Sequence, residues 1–264
     1  MSQVSKEDIL KQFGFRFGKF SVHTSRTMML SELTTLLAAS ASDATKKEFF
    51  SAIIQHNLLG KSTLTARQLT AEHLAELYIL DVDVCLFRVL RNFWLREERS
   101  HPVLALLCAL ARDTLLRASV ECIMQVHQGE QLTTADMVTF LNDLLPGRFS
   151  RATITSISQN VNSSWTQAGY LFGKVNKKRS HPIITPAVVA YALFLAYLDG
   201  ARAQRLFDSI WVRVLNISKD KAHELAIAAS RHGWLDYRRA GEIIDIRFPE
   251  LLNVREQELL SEQT

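Results

Sequence analysis

The sequence is poor in the residue patterns that mark enzyme and metal sites. It has eight histidines, and none of them pairs at HExxH or HxH spacing. The three cysteines, Cys85, Cys108 and Cys122, form no CxxC pair, and each lies in an apolar run typical of a small buried side chain. No serine stands in a GxSxG motif. We therefore expect no metal, no cofactor and no catalytic residue, and the chain is predicted not to be an enzyme.

Long apolar runs are also missing. The two most hydrophobic stretches, residues 102–111 and 187–198, are well short of the roughly 20 residues that span a bilayer. The first residues, MSQVSKEDILKQF, are polar and contain no apolar targeting region. An odd number of cysteines without such a region is typical of a reducing compartment. We expect a soluble, cytoplasmic protein that has no membrane partner.

A phosphate-binding loop is incomplete in the stretch NLLGKST. Gly60 is followed by Lys61 and Ser62, but the position five residues before Gly60 is Gln55 and not glycine. The preceding residues have helical rather than strand periodicity. The pattern therefore indicates a turn between two helices, with Gly60 as a helix C-cap and Ser62, Thr63 or Thr65 as the next N-cap.

Acidic residues are absent from the centre of the chain. Residues 144–198 contain no Asp or Glu but six Lys and Arg, whereas the segments on either side are each close to neutral. The net charge of +4 therefore arises in this one segment. Because ordinary surfaces mix both signs, a patch of one sign is typical of a protein that binds a phosphate backbone.

Helical periodicity is what the sequence has in abundance. Glycine and proline are scarce between residues 20 and 128, which predicts a mainly α fold with a helical domain at residues 25–130. Helices are expected from about Ser25, up to Gly60, over 63–80, over 82–98 and from Pro102 to near Gly129. Within the last of these, Arg112 and Asp113 are interpreted as a structural ion pair. The Phe-rich residues 1–24 are predicted to form a short strand, or an arm that packs against another part of the molecule.

Two winged-helix-like units, each a helix-turn-helix followed by a β-hairpin, are predicted after this domain. In the first, at residues 131–200, helices at 134–145 and 150–165 are joined by the turn PGRFS, and residues 174–179 form a basic wing. The second, at residues 201–254, has a helix from 203, a helix that Ser218 caps, and a hairpin at 234–248. Residues 255–264 are predicted to be a polar tail.

The helix at 150–165 is unusually rich in hydroxyl and amide side chains. Ser, Thr and Asn are weak helix formers, but they are side chains that reach phosphates and base edges. Together with the neighbouring cations they form the predicted DNA site: Arg148, Arg151, Thr155, Ser158, Gln159, Asn162, Ser163, Lys174, Lys177, Lys178 and Arg179. Weaker candidates are Lys61, Thr63, Arg67, Arg238 and Arg239. A polar, solvated helix face and a solubilising loop are the plainer interpretations.

Four stretches carry a resemblance to a known family. The residues NLLGKSTLTAR (57–67), LARDTLLRAS (110–119), SSWTQAGYLFGKVNKKR (163–179) and AIAASRHGWLDYRRAGEIIDIRF (226–248) are similar to those of the BrxA family of bacterial BREX phage-defence systems. The resemblance covers about residues 20–250. It implies a helical DNA-binding protein with winged-helix parts, which works beside a methyltransferase, an ATPase and other BREX components. It assigns a reaction to no residue.

The sequence thus favours a non-catalytic accessory protein that binds double-stranded DNA mainly through phosphates. About six basic contacts would give a slope of roughly −5 for log K against log salt. A scaffold that binds a partner protein through residues 201–248 and a sequence-specific transcription regulator are the alternatives. Structured RNA as a ligand and a homo-oligomeric state are both left open.

Overall fold

The computed structural model describes residues 5–241 and 243–261 and is mainly helical. The first part, residues 5–125, is entirely helices and connecting turns. Its α-helices are α1 (Lys6–Gln12), α2 (Leu30–Ala38), α3 (Lys46–Ile54), α4 (Leu64–Tyr78), α5 (Cys85–Trp94), α6 (His101–Arg112), α7 (Thr114–Ala118) and α8 (Val120–Gln125).

The second part combines helices with a small sheet. Its elements are β1 (Gln131–Leu132), α9 (Thr134–Leu144), α10 (Arg151–Gln167), β2 (Leu171–Phe172) and β3 (Lys177–Arg179). The strands form an antiparallel sheet in the order β1-β3-β2, in which Gln131 and Phe172 both pair with Lys178. We call β2, β3 and the loop between them the first hairpin.

The third part has a similar order of elements. It contains α11 (Pro186–Leu198), α12 (Arg205–Asp208), α13 (Ile210–Arg213), α14 (Lys219–Arg231), β4 (Asp236–Ala240), β5 (Ile243–Arg247) and α15 (Val254–Ser261). The antiparallel strands β4 and β5 form a sheet of their own, which we call the second hairpin.

Hydroxyl side chains begin most of the longer helices. Thr45 and Thr133 each form a capping box with an acidic residue three positions later, which satisfies two backbone N–H groups at once. A single side-chain cap begins four more helices, with Thr63 at α4, Ser150 at α10, Thr185 at α11 and Ser218 at α14. The caps predicted at Ser150 and Ser218 are therefore confirmed.

Two helices are buried all round and lie at the centre of the molecule. Every residue from 103 to 111 in α6 and from 187 to 196 in α11 is buried, and these two helices pack against each other and against α5. The three cysteines are free and buried, as predicted. No helix within the described residues is both long enough and apolar enough to cross a bilayer.

The buried hydrophobic side chains of all three parts form one continuous cluster. The boundaries drawn from the sequence near residues 130 and 200 thus do not coincide with separate cores. The division of the chain into independent units stays a prediction.

Several predicted helices are interrupted. The helix expected from Ser25 begins only at Leu30, because Met29 has a left-handed backbone with φ of 54°. The helix expected over 102–128 is three helices, α6, α7 and α8. The backbone of Asp113 is extended, which ends α6, and its side chain accepts the Leu116 N–H and caps α7. The helix expected from residue 203 is broken at Ser209, which caps α13. Side-chain caps therefore stop helices that periodicity alone would continue.

The ends of the chain also differ from prediction. Phe13 and Phe15 follow α1 and are buried, so the Phe-rich segment packs against the fold as predicted for an arm, but residues 5–24 contain no strand. Residues 255–261 of the predicted tail belong to the helix α15, and Glu256 accepts a hydrogen bond of 2.5 Å from Arg88. Residues 1–4 and 262–264 lie outside the described residues. Gly60 is not the cap of α3, which ends at Ile54.

Candidate nucleic-acid interface

The connection between α9 and α10 fixes the direction of α10. Helix α9 ends at Leu144, the turn contains Pro146 and Gly147, and the Ser150 hydroxyl accepts the Thr153 N–H at 3.2 Å. Ile154, Ile157 and Trp165 then face the core and are buried. Trp165 anchors α10 in the core, and its indole N–H donates to Ser119 Oγ at 2.8 Å. This packing leaves the opposite side of α10 facing outward.

The outward side of α10 is a polar stripe. Its members recur every three or four residues, as one face of a helix requires, and they are exposed or half-buried. We call the stripe the outer face of α10, and it consists of Ala152, Thr155, Ser156, Gln159, Ser163 and Thr166. Charged side chains are absent from this stripe, whose only neighbouring cation on the helix is the exposed Arg151.

The hydroxyls of this face are held by the helix itself. Thr155 and Thr166 donate to the carbonyl oxygens four residues earlier at 2.8 Å, and Ser156 does the same at 3.2 Å. Such bonds satisfy the side-chain protons and leave the hydroxyl oxygens of Thr155 and Ser156 free to accept a hydrogen bond from outside, whereas that of Thr166 accepts one from Lys177. The amide of Gln159 and the hydroxyl of Ser163 have no hydrogen-bond partner within the part of the chain that the structure describes.

The first hairpin joins the end of this face. The Lys177 ammonium donates to Thr166 Oγ1 at 2.8 Å, so the base of the hairpin continues the polar stripe. Gly173 turns the loop with φ of 101°, and a Cβ at this position would collide with the Asn176 carbonyl oxygen. Lys174, Val175 and Lys178 project from the hairpin and are exposed, Val175 to 87 %.

The cations of this region have no acidic partners. Neither Arg151, Lys174 nor Lys178 lies in any ion pair formed within residues 5–241 and 243–261. Partial burial lowers the pKa of Lys177 from its usual value, since the charged ammonium loses hydration without gaining a carboxylate. An anion that brought negative charge to this surface would therefore meet uncompensated positive charge.

The structure corrects three of the predicted contact residues. Ser158, Asn162 and Arg179 are 0 %, 1 % and 2 % exposed, so none of them reaches a ligand at the surface. The periodicity of α10 places Ser158 and Asn162 on the flank of its buried side. The Ser158 hydroxyl and both amide atoms of Asn162 have no hydrogen-bond partner among the described residues.

Arg179 has a structural role instead. Its guanidinium donates to the carbonyl oxygens of Tyr170, at 3.1 Å, and Ser180, and it lies 5.1 Å from the centre of the Tyr170 ring. Burial lowers its pKa from the usual value. Arg148 is half-buried, donates to the Lys19 carbonyl oxygen and lies over the Phe149 ring. The site thus retains fewer free cations than the sequence indicates.

The weaker candidates lie away from this surface or are engaged in the fold. Lys61 pairs with Glu32 at 3.0 Å, the Thr63 hydroxyl caps α4, and Arg67 donates to the Ile54 carbonyl oxygen at 3.0 Å. Arg238 and Arg239 are exposed on β4 of the second hairpin. Arg238 faces Asp245 across the strands, so that hairpin carries compensating charge.

Two arginines of the helical part, Arg91 and Arg112, bind backbone carbonyl oxygens. Arg91 donates to those of Leu37, Ser40 and Ala41, at 2.8, 2.7 and 3.2 Å, just beyond the C-terminus of α2. The predicted ion pair of Arg112 with Asp113 is wrong, since Arg112 donates to the carbonyl oxygens of Glu76 and Gly14. These arginines therefore hold helix ends together and are not available to a nucleic acid.

A buried charged network, which sequence spacing did not reveal, holds α10 in place. His23 Nδ1 lies 3.0 Å from Asp113 Oδ2, and His23 Nε2 lies 2.9 Å from Ser164 Oγ on α10. Burial alone would raise the pKa of Asp113, but the His23 charge, with hydrogen bonds from His23, Leu116 and Ser21, lowers it to about 2. These residues are separated by 90 and 51 positions in the sequence.

Asp113, His23 and Ser164 are connected in the order of the Asp-His-Ser triad of a hydrolase, but they lack access to a substrate. His23 and Ser164 are fully buried and Asp113 is 1 % exposed, so no substrate reaches the serine. The Ser164 hydroxyl also accepts the Met28 N–H at 2.8 Å and donates to the Asn160 carbonyl oxygen. The network therefore positions α10 and performs no reaction on a ligand in this conformation.

No group of three His, Cys, Asp or Glu side chains within the described ranges is arranged to hold a metal ion. No protein-family model matches the chain, and no curated protein is significantly similar to it. The resemblance to the BrxA family therefore depends on the four quoted stretches alone. What the protein binds has to be inferred from the outer face of α10 and the first hairpin.

Proposed function

We propose that the protein is a non-catalytic double-stranded DNA-binding protein whose contact surface is the outer face of α10 and the first hairpin. One observation carries this proposal. The polar face of α10 continues through the bond between Lys177 and Thr166 into a hairpin whose exposed cations have no acidic partners. Phosphates bind lysine and arginine, while hydroxyl and amide side chains contact phosphates and base edges.

The order of elements supports a winged-helix arrangement for this region. A strand, two helices and a two-stranded hairpin follow α8, and the first strand pairs with the last in the order β1-β3-β2. In such an arrangement the second helix, α10, faces the major groove and the hairpin contacts the adjacent backbone. Because arginine is absent from the outer face of α10, we expect little sequence preference.

The mechanism is mainly electrostatic. Arg151, Lys174, Lys177 and Lys178 would each displace a counterion from the DNA, and about four such contacts give a slope of about −4 for log K against log salt. This is shallower than the sequence predicts, because Arg179 is buried and Arg148 is engaged with the Lys19 carbonyl oxygen.

The test is fluorescence anisotropy with a labelled duplex at several salt concentrations. The variant Lys174→Glu/Lys178→Glu should bind on the order of 100-fold more weakly and with a smaller salt slope, because both contacts become repulsive. The variant Lys46→Glu/Lys47→Glu is the matched control. It makes the same change in net charge at exposed positions of the first turn of α3, where acidic residues suit the helix dipole.

Binding that does not change with salt, or an equal loss in the control variant, would contradict the proposed surface. A labelled RNA hairpin in parallel decides between the two nucleic acids, since A-form RNA has a deep and narrow major groove that α10 would not enter.

We also propose that this DNA-binding protein serves a BREX-type phage-defence system, on the strength of the four sequence stretches. In cells that carry such a system, deletion of the protein should abolish phage restriction. The wild type should restore it, and the Lys174→Glu/Lys178→Glu variant should not. Restoration by this variant would separate the defence role from DNA binding by the first hairpin.

A protein scaffold is the second candidate, and the second hairpin favours it. Asp236 faces Arg247, and Arg238 faces Asp245, so its outward side is neutral overall and carries both signs. Such a surface suits a protein partner better than a phosphate backbone. If a partner protein co-purifies with the Lys174→Glu/Lys178→Glu variant as well as with the wild type, the scaffold role gains support.

A further inference from the structure

An open groove lies beside the first hairpin, outside the proposed DNA surface. It runs between α8, β1 and α9 and has a volume of about 560 Å³. Its apolar part is formed by Val126, Leu132 and Phe140, of which Leu132 is buried and the other two are half-buried. Its acidic part is formed by Glu130, Asp136 and Asp143, all exposed. No lysine or arginine lines it.

The groove carries negative charge, whereas the neighbouring first hairpin carries positive charge. The carboxylate of Asp136 is engaged in the capping box of α9, and that of Glu130 accepts the His127 N–H at 2.9 Å. Asp143 forms no ion pair within the described part of the chain, and neither do the other two acids. The groove therefore combines apolar area with uncompensated negative charge.

The tip of the first hairpin has the complementary properties. Val175 is an apolar side chain that is 87 % exposed and directly follows the exposed Lys174, and a second exposed lysine, Lys178, lies on β3 of the same hairpin. Phe172, which is 53 % exposed, pairs with Lys178 across the strands. An apolar side chain at the tip of a cationic hairpin thus matches an apolar groove with an acidic rim. Since Val175 is almost fully exposed, the tip does not occupy the groove of its own chain.

We propose that the hairpin tip of one copy docks into this groove on a second copy. Val175 would lie against Val126 and Phe140, and the two lysines would meet the acidic rim. The tip and the groove are separate patches of each copy, so the contact joins unlike patches and can propagate into a chain or close into a ring.

The contact should be weak and sensitive to salt. A single hairpin tip buries far less than the area of a standard stable interface, and its ion pairs are exposed to solvent. Because the same hairpin belongs to the proposed DNA surface, duplex DNA should compete with self-association. The inference itself depends on the exposed hairpin and the groove, and it stands or falls independently of DNA binding.

Sedimentation velocity over a range of protein concentrations tests this contact with two variants. The hairpin variant is Lys174→Glu/Lys178→Glu. The groove variant is Thr139→Lys/Asp143→Lys, which reverses the charge on one exposed face of α9 and leaves the capping box intact. The control is Lys46→Glu/Lys47→Glu. Wild type and control should sediment faster as concentration rises, whereas each variant alone should remain monomeric.

An equimolar mixture of the two variants provides the decisive measurement. The glutamates of the hairpin variant can dock against the lysines of the groove variant. The groove variant keeps its native hairpin, which can dock into the native groove of the hairpin variant. The mixture should therefore associate although neither component does. Misfolded variants would not regain association, so a positive result also excludes that explanation.

Three outcomes would overturn the proposal: a wild type that stays monomeric at all concentrations, a groove variant that still associates, or a mixture that does not. The anisotropy assay separates this result from the proposed function. The groove variant should bind duplex DNA at least as tightly as the wild type, because it adds positive charge and leaves the hairpin unchanged.

Discussion

The two hairpin-bearing regions of the molecule are built from similar elements but present opposite kinds of surface. In the first, α10 and the first hairpin display cations without acids, and the acids of α9 line the separate groove. In the second, α14 is followed by a hairpin on which acids and arginines are cross-strand neighbours: Asp236 is opposite Arg247, and Arg238 is opposite Asp245. The same order of elements therefore does not determine the charge of the surface. The proposed nucleic-acid site depends on charge that the fold leaves uncompensated.

The two regions also differ in the contacts that hold the helix before each hairpin, α10 in the first region and α14 in the second. Helix α10 is held by the buried charged network of Asp113, His23 and Ser164. Helix α14 is held to its hairpin by a partly buried bond of 3.0 Å between the Tyr237 hydroxyl and His223 Nδ1. A charged network in the core is costly to disturb, whereas a neutral bond at the edge is not.

The largest expected effect follows from this difference. Asp113→Asn should lower the free energy of unfolding by about 3 kcal/mol, because it removes a buried carboxylate that accepts hydrogen bonds from the Ser21 hydroxyl and from the N–H groups of Val22 and Leu116. Tyr237→Phe should cost about 1 kcal/mol. Chemical denaturation of both variants measures the contrast, and equal losses would show that the two helices are anchored with similar strength.

The same residue predicts a dependence on pH. The pKa of Asp113 is lowered to about 2 in the folded protein, against about 3.9 in an unfolded chain. The ionised Asp113 therefore contributes about 2.5 kcal/mol to the free energy of unfolding. This contribution is complete above pH ~4 and is lost as the pH falls towards 2. Asp113→Asn should lack this part of the acid dependence. Acid denaturation curves that run parallel for wild type and variant would argue against it.

The second prediction compares the hairpins directly as DNA contacts. Lys174→Glu/Lys178→Glu should reduce affinity for duplex DNA on the order of 100-fold, while Arg238→Glu/Arg239→Glu should change it less than about 3-fold. Both pairs lie on exposed hairpins and change the net charge equally. A comparable loss in the two variants, measured by anisotropy at one salt concentration, would place both hairpins on the DNA.

The smallest expected effect concerns the buried side of α10. Ser158→Ala removes a buried hydroxyl that has no partner within the described residues, so it should stabilise the fold by about 1 kcal/mol. DNA affinity should not change, since this side chain is not at the surface. If Ser158→Ala weakens DNA binding as much as Gln159→Ala does, the assignment of the outer face of α10 is wrong.

Local signals predicted much of the architecture. The capping residues Ser150 and Ser218 and the hairpin over β4 and β5 follow from short-range chemistry, and the structure has them close to the expected positions. The breaks between helices were harder to predict, because Asp113 and Ser209 begin new helices within stretches whose hydrophobic periodicity continues unbroken. From a single sequence, a polar residue that caps a helix cannot be distinguished from one that lies on the surface of a continuous helix.

The candidate site was predicted less completely than the fold. The missing acids of residues 144–198 identified the region, but they did not distinguish an exposed lysine from a buried arginine such as Arg179. Burial depends on Tyr170 and Met124, which approach Arg179 from separate elements. The network around His23 was not predictable either, since its members are brought together only by the folded chain.

The anchoring of α10 has a practical consequence for dividing the chain into fragments. Residues 131–200 contain every proposed DNA contact, yet Ser164 binds His23 and Met28, Asn160 binds the His23 carbonyl oxygen, and Trp165 binds Ser119. A fragment with those boundaries would lose each of these partners. The shortest fragment that keeps α10 in its native contacts must therefore begin before Ser21, which binds Asp113 of the same network, far upstream of α10 itself.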